Sequence, residues 1–345
     1  MRIIVAILIF SFIIIFHEMG HYLLARFCDV KVNEFQLGLG PRIFGIQRGE
    51  TMFSLHVFPF GGACSMEGED EESDDERAFN KKTVWQRMAI VFAGPFFNFI
   101  LAFLLAVVII SLMGFDPPVV SDVMEGYPAQ KAGIQSGDEI VALDKYKVHF
   151  YREISVYLFM HPGKEVQVTY SRDGEKQTTM LAPQYDKEAG RYVLGIQNNH
   201  VYEKGNPLQI LQYGIYEIRY QVYLTFQSLK MLVTRQIAMD QVSGPVGIVK
   251  TIGDTYETSR QDGILYVIVN MLSISVLLSA NLGVMNLLPI PALDGGRLLF
   301  YIIEVIRGKQ MDERIEGYVH MVGFALLMLL MIVVLFNDVH KLILP

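Results

Sequence analysis

The stretch IIVAILIFSFIIIFHEMGHYLLA, Ile3 to Ala25, decides how this chain is read. From Ile3 to Phe16 it carries no charge and only Ser11 is polar; His17-Glu18-Met19-Gly20-His21 then follows without a turn signal, and Tyr22-Leu23-Leu24-Ala25 continues it. A helix sets residues four apart on one face, so His17 and His21 can reach a single ion. Neutral imidazoles suit zinc. Glu18, beside them, can take a proton from a water whose pKa the ion lowers to about 7 and later return it to a leaving amine. Ionisable groups at membrane depth cost about 2.5 to 3.5 kcal/mol each on insertion scales unless something compensates. A bound cation would compensate.

Two histidines and a water leave a tetrahedral zinc one protein ligand short. A carboxylate stands in Asn286-Leu287-Leu288-Pro289-Ile290-Pro291-Ala292-Leu293-Asp294-Gly295-Gly296, where Asp294 ends an apolar run and Arg297 is the nearest opposite charge. Pro289 and Pro291 break the helix and free backbone polar groups, which a membrane tolerates only around a protein-lined or wet cavity. An ion pair with Arg297 and a helix cap are the competing readings of Asp294.

Working outward, the 345 residues are 52% hydrophobic with a mean hydropathy of +0.32, high for a soluble chain. Apolar runs at Ile3 to Phe16, Met88 to Phe115, Ile264 to Leu288 and Met321 to Phe336 mostly approach or exceed the about 20 residues that cross a bilayer. Four membrane segments are expected. The first reads as a retained span, because it lacks a small-residue cleavage site and runs straight into His17 and Glu18. Much of the net charge of −7 comes from Glu67 to Glu76, which reads as a solvated loop. No nucleic-acid partner is expected. Cys28 and Cys64 imply no disulfide framework.

Arg42, Arg48, Arg77, Lys81, Lys82 and Arg87 lie between the first two spans, and Arg307, Lys309 and Arg314 between the last two. The positive-inside rule puts both short loops in the cytoplasm and the segment from about Pro117 to Gly263 outside. Up to Asn199 that segment alternates β-rich runs (Val119 to Val123, Glu139 to Leu143, Val166 to Tyr170, Tyr192 to Ile196) with turns, and two helices interrupt it at Pro128 to Ala132 and Arg152 to Met160. Through Tyr127-Pro128-Ala129-Gln130-Lys131-Ala132-Gly133-Ile134-Gln135-Ser136-Gly137-Asp138-Glu139-Ile140 it resembles a circularly permuted bacterial PDZ domain. The resemblance implies that Leu194, Gly195 and Ile196 belong to the loop and strand to which a ligand peptide, including a C-terminus, adds, with the Arg152 to Met160 helix as the far wall. The competing reading is a spacer without a ligand. Asn206 to Gln236 reads as a helix whose Glu217, Arg219 and Lys230 favour an interfacial or domain-packing role over a fifth span.

H-E-x-x-H in a first span followed by N-x-x-P-x-P-x-L-D-G-G in a later one resembles the site-2 protease family of intramembrane metalloproteases, in its bacterial branch that releases anti-sigma factors. The resemblance runs over most of the chain to Phe336-Asn337-Asp338. It implies His17, His21 and Asp294 as ligands of Zn2+ and Glu18 as the general base. That branch has a re-entrant β-hairpin, matched here by Phe53-Ser54-Leu55-His56-Val57-Phe58-Pro59-Phe60-Gly61-Gly62-Ala63, and Leu55, His56, Val57 and Phe58 are the expected edge that holds an unwound substrate. An ordinary cytoplasmic hairpin is the alternative. Gly94-Pro95-Phe96-Phe97-Asn98 resembles the family's glycine-to-asparagine motif. Asn98 is read either as a donor to the substrate carbonyl or as a helix-to-helix bond.

The expected architecture is an α-helical membrane protein of about four transmembrane segments, with a membrane-associated β-hairpin and an external β-rich PDZ domain. Residues 1–116 hold the first two spans and the hairpin, 117–200 the PDZ domain, 201–263 an amphipathic connection and 264–345 the last two spans. The expected function is hydrolysis of peptide bonds within single-span membrane proteins, such as anti-sigma factors or signal-peptide remnants, in the lipid bilayer of a bacterial inner membrane. The active site would lie near the cytoplasmic side and the PDZ domain outside the cytoplasm. A membrane adaptor with a structural metal has no use for Glu18, and a metal transporter would string polar residues along a path rather than cluster them.

Overall fold

Long apolar runs become helices here because a lipid core leaves no partner for unpaired backbone groups. The computed structural model describes residues 2–69, 73–199, 202–236 and 243–343, so residues 70–72 of the acidic run and 237–242 of the connection lie outside the described residues. The chain begins with α1 (Arg2–Phe27), β1 (Val32–Arg48), β2 (Thr51–Met66) and α2 (Val84–Met113). A β-rich stretch follows: β3 (Asp122–Val123), α3 (Pro128–Lys131), β4 (Glu139–Leu143), β5 (Tyr146–Lys147), α4 (Tyr151–Met160), β6 (Val166–Arg172), β7 (Glu175–Leu181), β8 (Gln184–Asp186), β9 (Arg191–Val193) and β10 (Ile196–Gln197). The last part is helical, with α5 (Pro207–Val233), α6 (Pro245–Asp262), α7 (Ile264–Asn286), α8 (Asp294–Arg307) and α9 (Glu313–Ile343). Among the described residues four helices, α1, α2, α7 and α9, are long and apolar enough to cross a membrane, as the hydropathy predicts. The helix expected over Asn206 to Gln236 forms as α5 and is not one of these four.

The chain divides into two compact units, residues 1–106 with 221–345, and residues 107–220. In the first, β1 and β2 pair antiparallel but each doubles back. Glu34 to Leu37 pair on one side with Gly62 to Ser65 and on the other with Met52 to Leu55, while Phe53 to Leu55 pair in turn with Phe44 to Ile46. The two strands therefore make a four-segment sheet in the order 44–48, 51–55, 34–37, 62–66. Gly38 and Gly40 sit where β1 reverses, at φ +85° and +90°, a conformation that suits glycine. Beneath the sheet Ala25, Val30, Val32, Cys64, Met66, Phe79, Ile90, Val91 and Tyr301 form a buried core. Tyr22, Phe35 and Phe53 pack on one another at ring separations of 5.6 to 5.8 Å and tie the sheet to α1.

Amphipathic α6 packs on α1 and α7. Its N-terminus is capped from α9, where buried Asp338 accepts the Gly244 N–H at 3.0 Å and the Gly247 N–H at 2.8 Å. On α8, Arg87 of α2 reaches Glu304 at 2.5 Å and lies over the Tyr301 ring.

The second unit has a sheet of order β5-β4-β6-β7 with the small pairs β8-β9 and β10-β3. Ile140, Leu143, Phe150, Ile154, Val168 and Leu194 fill its interior. Arg172 pairs with Asp138, and this guanidinium holds the Asp138 carboxyl below its ordinary range against the opposing effect of burial. Two expected strands are shorter than the sequence suggests. Val119 to Val123 yields only β3, and Tyr192 to Ile196 is split into β9 and β10 because Gly195 adopts φ +84°, which breaks the ladder.

Candidate metal centre

α1 carries His17 and His21 one turn apart, both buried, with their Nε2 atoms 3.2 Å from each other. The Pro289 to Ala292 segment ends α7 and turns the chain back so that Asp294, the first residue of α8, points its Oδ2 at the same place, 3.3 Å from His17 Nε2 and 3.7 Å from His21 Nε2. Gly295 and Gly296 permit this return: a Cβ on Gly295 would overlap the Leu288 carbonyl, and one on Gly296 would stand 2.5 Å from the Ile290 oxygen. Arg297, the expected alternative partner of Asp294, pairs with Glu69.

These positions fit a metal ion. Donors about 2.0 to 2.1 Å from one tetrahedral ion stand about 3.3 Å apart, close to the observed separations. His21 Nδ1 lies 2.9 Å from the Ile90 carbonyl, which can only accept; Nδ1 therefore carries the proton and Nε2 presents its lone pair. Asp294 Oδ2 is buried without a hydrogen-bond partner among the described residues. Lone pairs converging in a low-dielectric pocket repel unless a cation sits between them.

α2 forms the wall behind the imidazoles. A Cβ at Gly94 would overlap the His21 ring and come within 2.8 Å of His17 Cε1, and a Cβ at Gly20 would overlap the Ala93 carbonyl. The two backbones touch only because both positions lack a side chain. Asn98, one turn past Gly94 and fully buried, sets its amide nitrogen 3.1 Å from His17 Nδ1, while its own carbonyl accepts from Ser279 Oγ at 2.8 Å. Asn286 lies 3.5 Å from His17 Nε2. Glu18 is half-buried on α1; Gly62 lies over its stem, where a Cβ would be 3.1 Å from its Cγ, and the Cys64 backbone N–H bonds its carboxylate.

The segment 5–330 matches the model of peptidase family M50. The chain belongs to that family. A relative from Clostridium acetobutylicum is 39% identical over 98% of this chain and 97% of its own length. Zinc metalloprotease RasP of Geobacillus kaustophilus is 31% identical over 97% of each chain, and the regulator of sigma-W protease RasP of Bacillus subtilis is 30% identical over 98% of each. A solved PDZ domain of an SdrC-like protein from Listeria monocytogenes is 22% identical over 24% of this chain and 87% of that one, at a TM-score of 0.22, too slight a likeness to assign the second unit's fold. As an M50 peptidase the protein is an intramembrane zinc metalloprotease, and it is a multi-pass membrane protein.

Within this M50 peptidase, His17, His21 and Asp294 come together and the hairpin residues distribute differently. Leu55 pairs on both sides, with Leu37 and with Phe44, so it is interior to the sheet and offers no free edge. His56 is buried, 3.0 Å from Ser54 Oγ and 2.5 Å from the Gly40 carbonyl, and pins the reversal of β1. Val57 and Phe58 are exposed. In the second unit, Leu194 is buried and its carbonyl accepts from Ala129 N–H at 2.9 Å; the Gly195 carbonyl accepts from Met124 N–H at 2.8 Å, and the Ile196 carbonyl from the Tyr151 hydroxyl at 2.8 Å. His320 lies in none of the sequence motifs. Its Nδ1 accepts the Ala292 N–H at 2.9 Å, holding Ala292 at φ +74°, two residues before Asp294. No spacing rule could have found it, because the link joins a loop to a helix later in the chain.

Proposed function

We propose that this M50 peptidase hydrolyses peptide bonds inside the transmembrane segments of single-span membrane proteins, with His17, His21 and Asp294 holding Zn2+ and Glu18 acting as the base. The observation that carries it is the convergence of three ligand atoms, all within 4.8 Å of one another, at a helix long enough to span a membrane that supplies two of them and also carries Glu18. Zinc held there would polarise a water and the scissile carbonyl. Glu18 would take the water's proton and pass it to the leaving nitrogen, and the enclosing α1, α2 and α7 would keep lipid and bulk water from the reacting atoms.

A substrate helix must be unwound before its backbone can be reached, and an exposed strand edge does this by pairing. Among the described residues Gly62 to Ser65 pair on one side only, with Glu34 to Leu37, and lie against Glu18, whose carboxylate takes the Cys64 N–H. We therefore assign the holding edge to Gly62–Ser65 rather than to Leu55, with Val57 and Phe58 as apolar contacts nearby. The positive-inside distribution supports an active site near the cytoplasmic side of a bacterial inner membrane and an external second unit. That unit, read as a PDZ domain, would restrict access of bulky substrates. RasP's name as a regulator of sigma-W supports an anti-sigma factor as one substrate class, with signal-peptide remnants as another.

The test is cleavage of a panel of tagged single-span proteins by purified wild type and Glu18→Gln, with zinc quantified in both. The expected result is a zinc-loaded variant slower by about 100-fold or more. Equal cleavage by both would place the activity elsewhere.

A further inference from the structure

Ile90, Gly94 and Asn98 are spaced by four on α2 and so line one face, and each meets the histidine pair: Ile90 through its carbonyl, Gly94 by absence of a side chain, Asn98 through its amide. The His21 end is chemically determined, since a carbonyl can only accept. At the His17 end an amide can present either a donor or an acceptor, and the two have opposite consequences. If Asn98 gives its NH2 group to His17 Nδ1, the ring proton sits on Nε2, the atom 3.2 Å from His21 Nε2 and 3.3 Å from Asp294 Oδ2, and His17 cannot ligate through it. In that orientation Asn98 Oδ1 is buried without a hydrogen-bond partner among the described residues. If Asn98 turns its amide and gives Oδ1, His17 Nδ1 carries the proton and Nε2 presents a lone pair beside that of His21.

The geometry points to Asn98 as a positioning residue that accepts the Nδ1–H bond of His17 and so fixes the imidazole in its ligating tautomer, the counterpart of the Ile90 carbonyl at His21. The inference rests on His17, His21 and Asp294 being the metal ligands. It assigns Asn98 away from the substrate: its side chain is fully buried behind His17, and its backbone carbonyl is engaged by Ser279, which fixes this turn of α2 against α7. Outer partners of ligating histidines that set tautomer and ring orientation change metal affinity by about 10- to 100-fold when lost. A donor to the developing oxyanion changes turnover by about 100- to 1,000-fold and leaves metal affinity alone.

The experiment measures zinc affinity of the full-length detergent-purified enzyme by chelator competition, and cleavage at saturating zinc, for wild type, N98A, N98D and H17A. The carboxylate of the N98D variant retains an acceptor for Nδ1–H and lacks the NH2 donor, so the two roles part at this variant. Expected are a roughly 10- to 100-fold weaker zinc affinity in N98A and recovery of most of that affinity in N98D. Unchanged zinc affinity in N98A, or N98D with normal zinc affinity and turnover down about 100-fold, would overturn the assignment in favour of a substrate-facing amide. Because a buried substitution can unfold the helix pair, nitrogen NMR of histidine-labelled zinc-free wild type provides a reading without any variant. A proton on His17 Nδ1 is expected, and a proton on Nε2 would overturn the proposal. H17A separates the two levels: full zinc affinity in H17A would mean that the ligand assignment itself has failed.

Discussion

The sequence marked two regions as binding sites, and they differ in what their polar atoms are doing. At Asp294 a buried carboxylate oxygen has no hydrogen-bond partner among the described residues and faces two imidazole nitrogens. At Leu194 to Ile196, read as the peptide-binding strand of the second unit, all three carbonyls are already accepting, the last from Tyr151 at the start of α4. Buried polar groups are almost always satisfied, so an orphan marks a missing partner and a satisfied edge marks a closed one. The first region is a centre built for a cation; the second already commits its three carbonyls to internal bonds.

The contrast can be broken most forcefully at Asp294. Asp294→Asn should lower zinc affinity by more than the roughly 100-fold typical of losing an outer partner, with cleavage falling in step; retained stoichiometric zinc at unchanged affinity would remove the carboxylate from the ligand set. Next in size is Gly94→Ala, where the added methyl drives α2 off the imidazoles. A cost of about 1 to 3 kcal/mol in stability and about 10- to 100-fold in zinc affinity is expected, measured by thermal unfolding and chelator competition.

Smaller effects belong to the second unit. Tyr151→Phe frees the Ile196 carbonyl at a local cost of about 0.5 to 1.5 kcal/mol, visible as faster hydrogen exchange of β10 in the intact protein. Peptide binding to the unit should strengthen, and a decrease would mean that Tyr151 contacts the ligand. The smallest effect is on pH dependence. His149 stacks on Tyr216 at 3.6 Å, and burial, with Arg219 and Lys147 nearby, lowers its pKa from 6.5 to about 4. Its folded pKa lies below the unfolded one, so its contribution is complete above pH 6.5 and is lost as pH falls from there toward 4. Protection around the His149–Tyr216 contact should decline over that window, and His149→Gln should flatten the decline.

How much of this was legible in the sequence follows the range of the interactions. His17, Glu18 and His21 were readable because helical spacing is a local rule and ionisable groups inside an apolar run need a reason. Asp294 was readable for the same reason, aided by the prolines that interrupt its span. The role of Leu55 was not, because an apolar β-forming run shows that a strand exists but not how many neighbours it has; here β1 doubles back at Gly38 and Gly40 and covers Leu55 on both sides. The split at Gly195, the bond from His320 to Ala292 and the cap by Asp338 are likewise set by segments distant in the chain. Gly94 was quoted in a motif, but its function is a distance of approach between two helices, and a sequence does not record that.

The most direct test of the central claim is X-ray absorption at the zinc edge of the full-length zinc-loaded enzyme, beside Asp294→Ala. The account predicts a light-atom shell at about 2.0 to 2.2 Å with the scattering of two imidazoles and a carboxylate, altered in the variant. A sulfur shell at about 2.3 Å, which would bring in Cys28 or Cys64, or a spectrum indifferent to loss of Asp294, would contradict it.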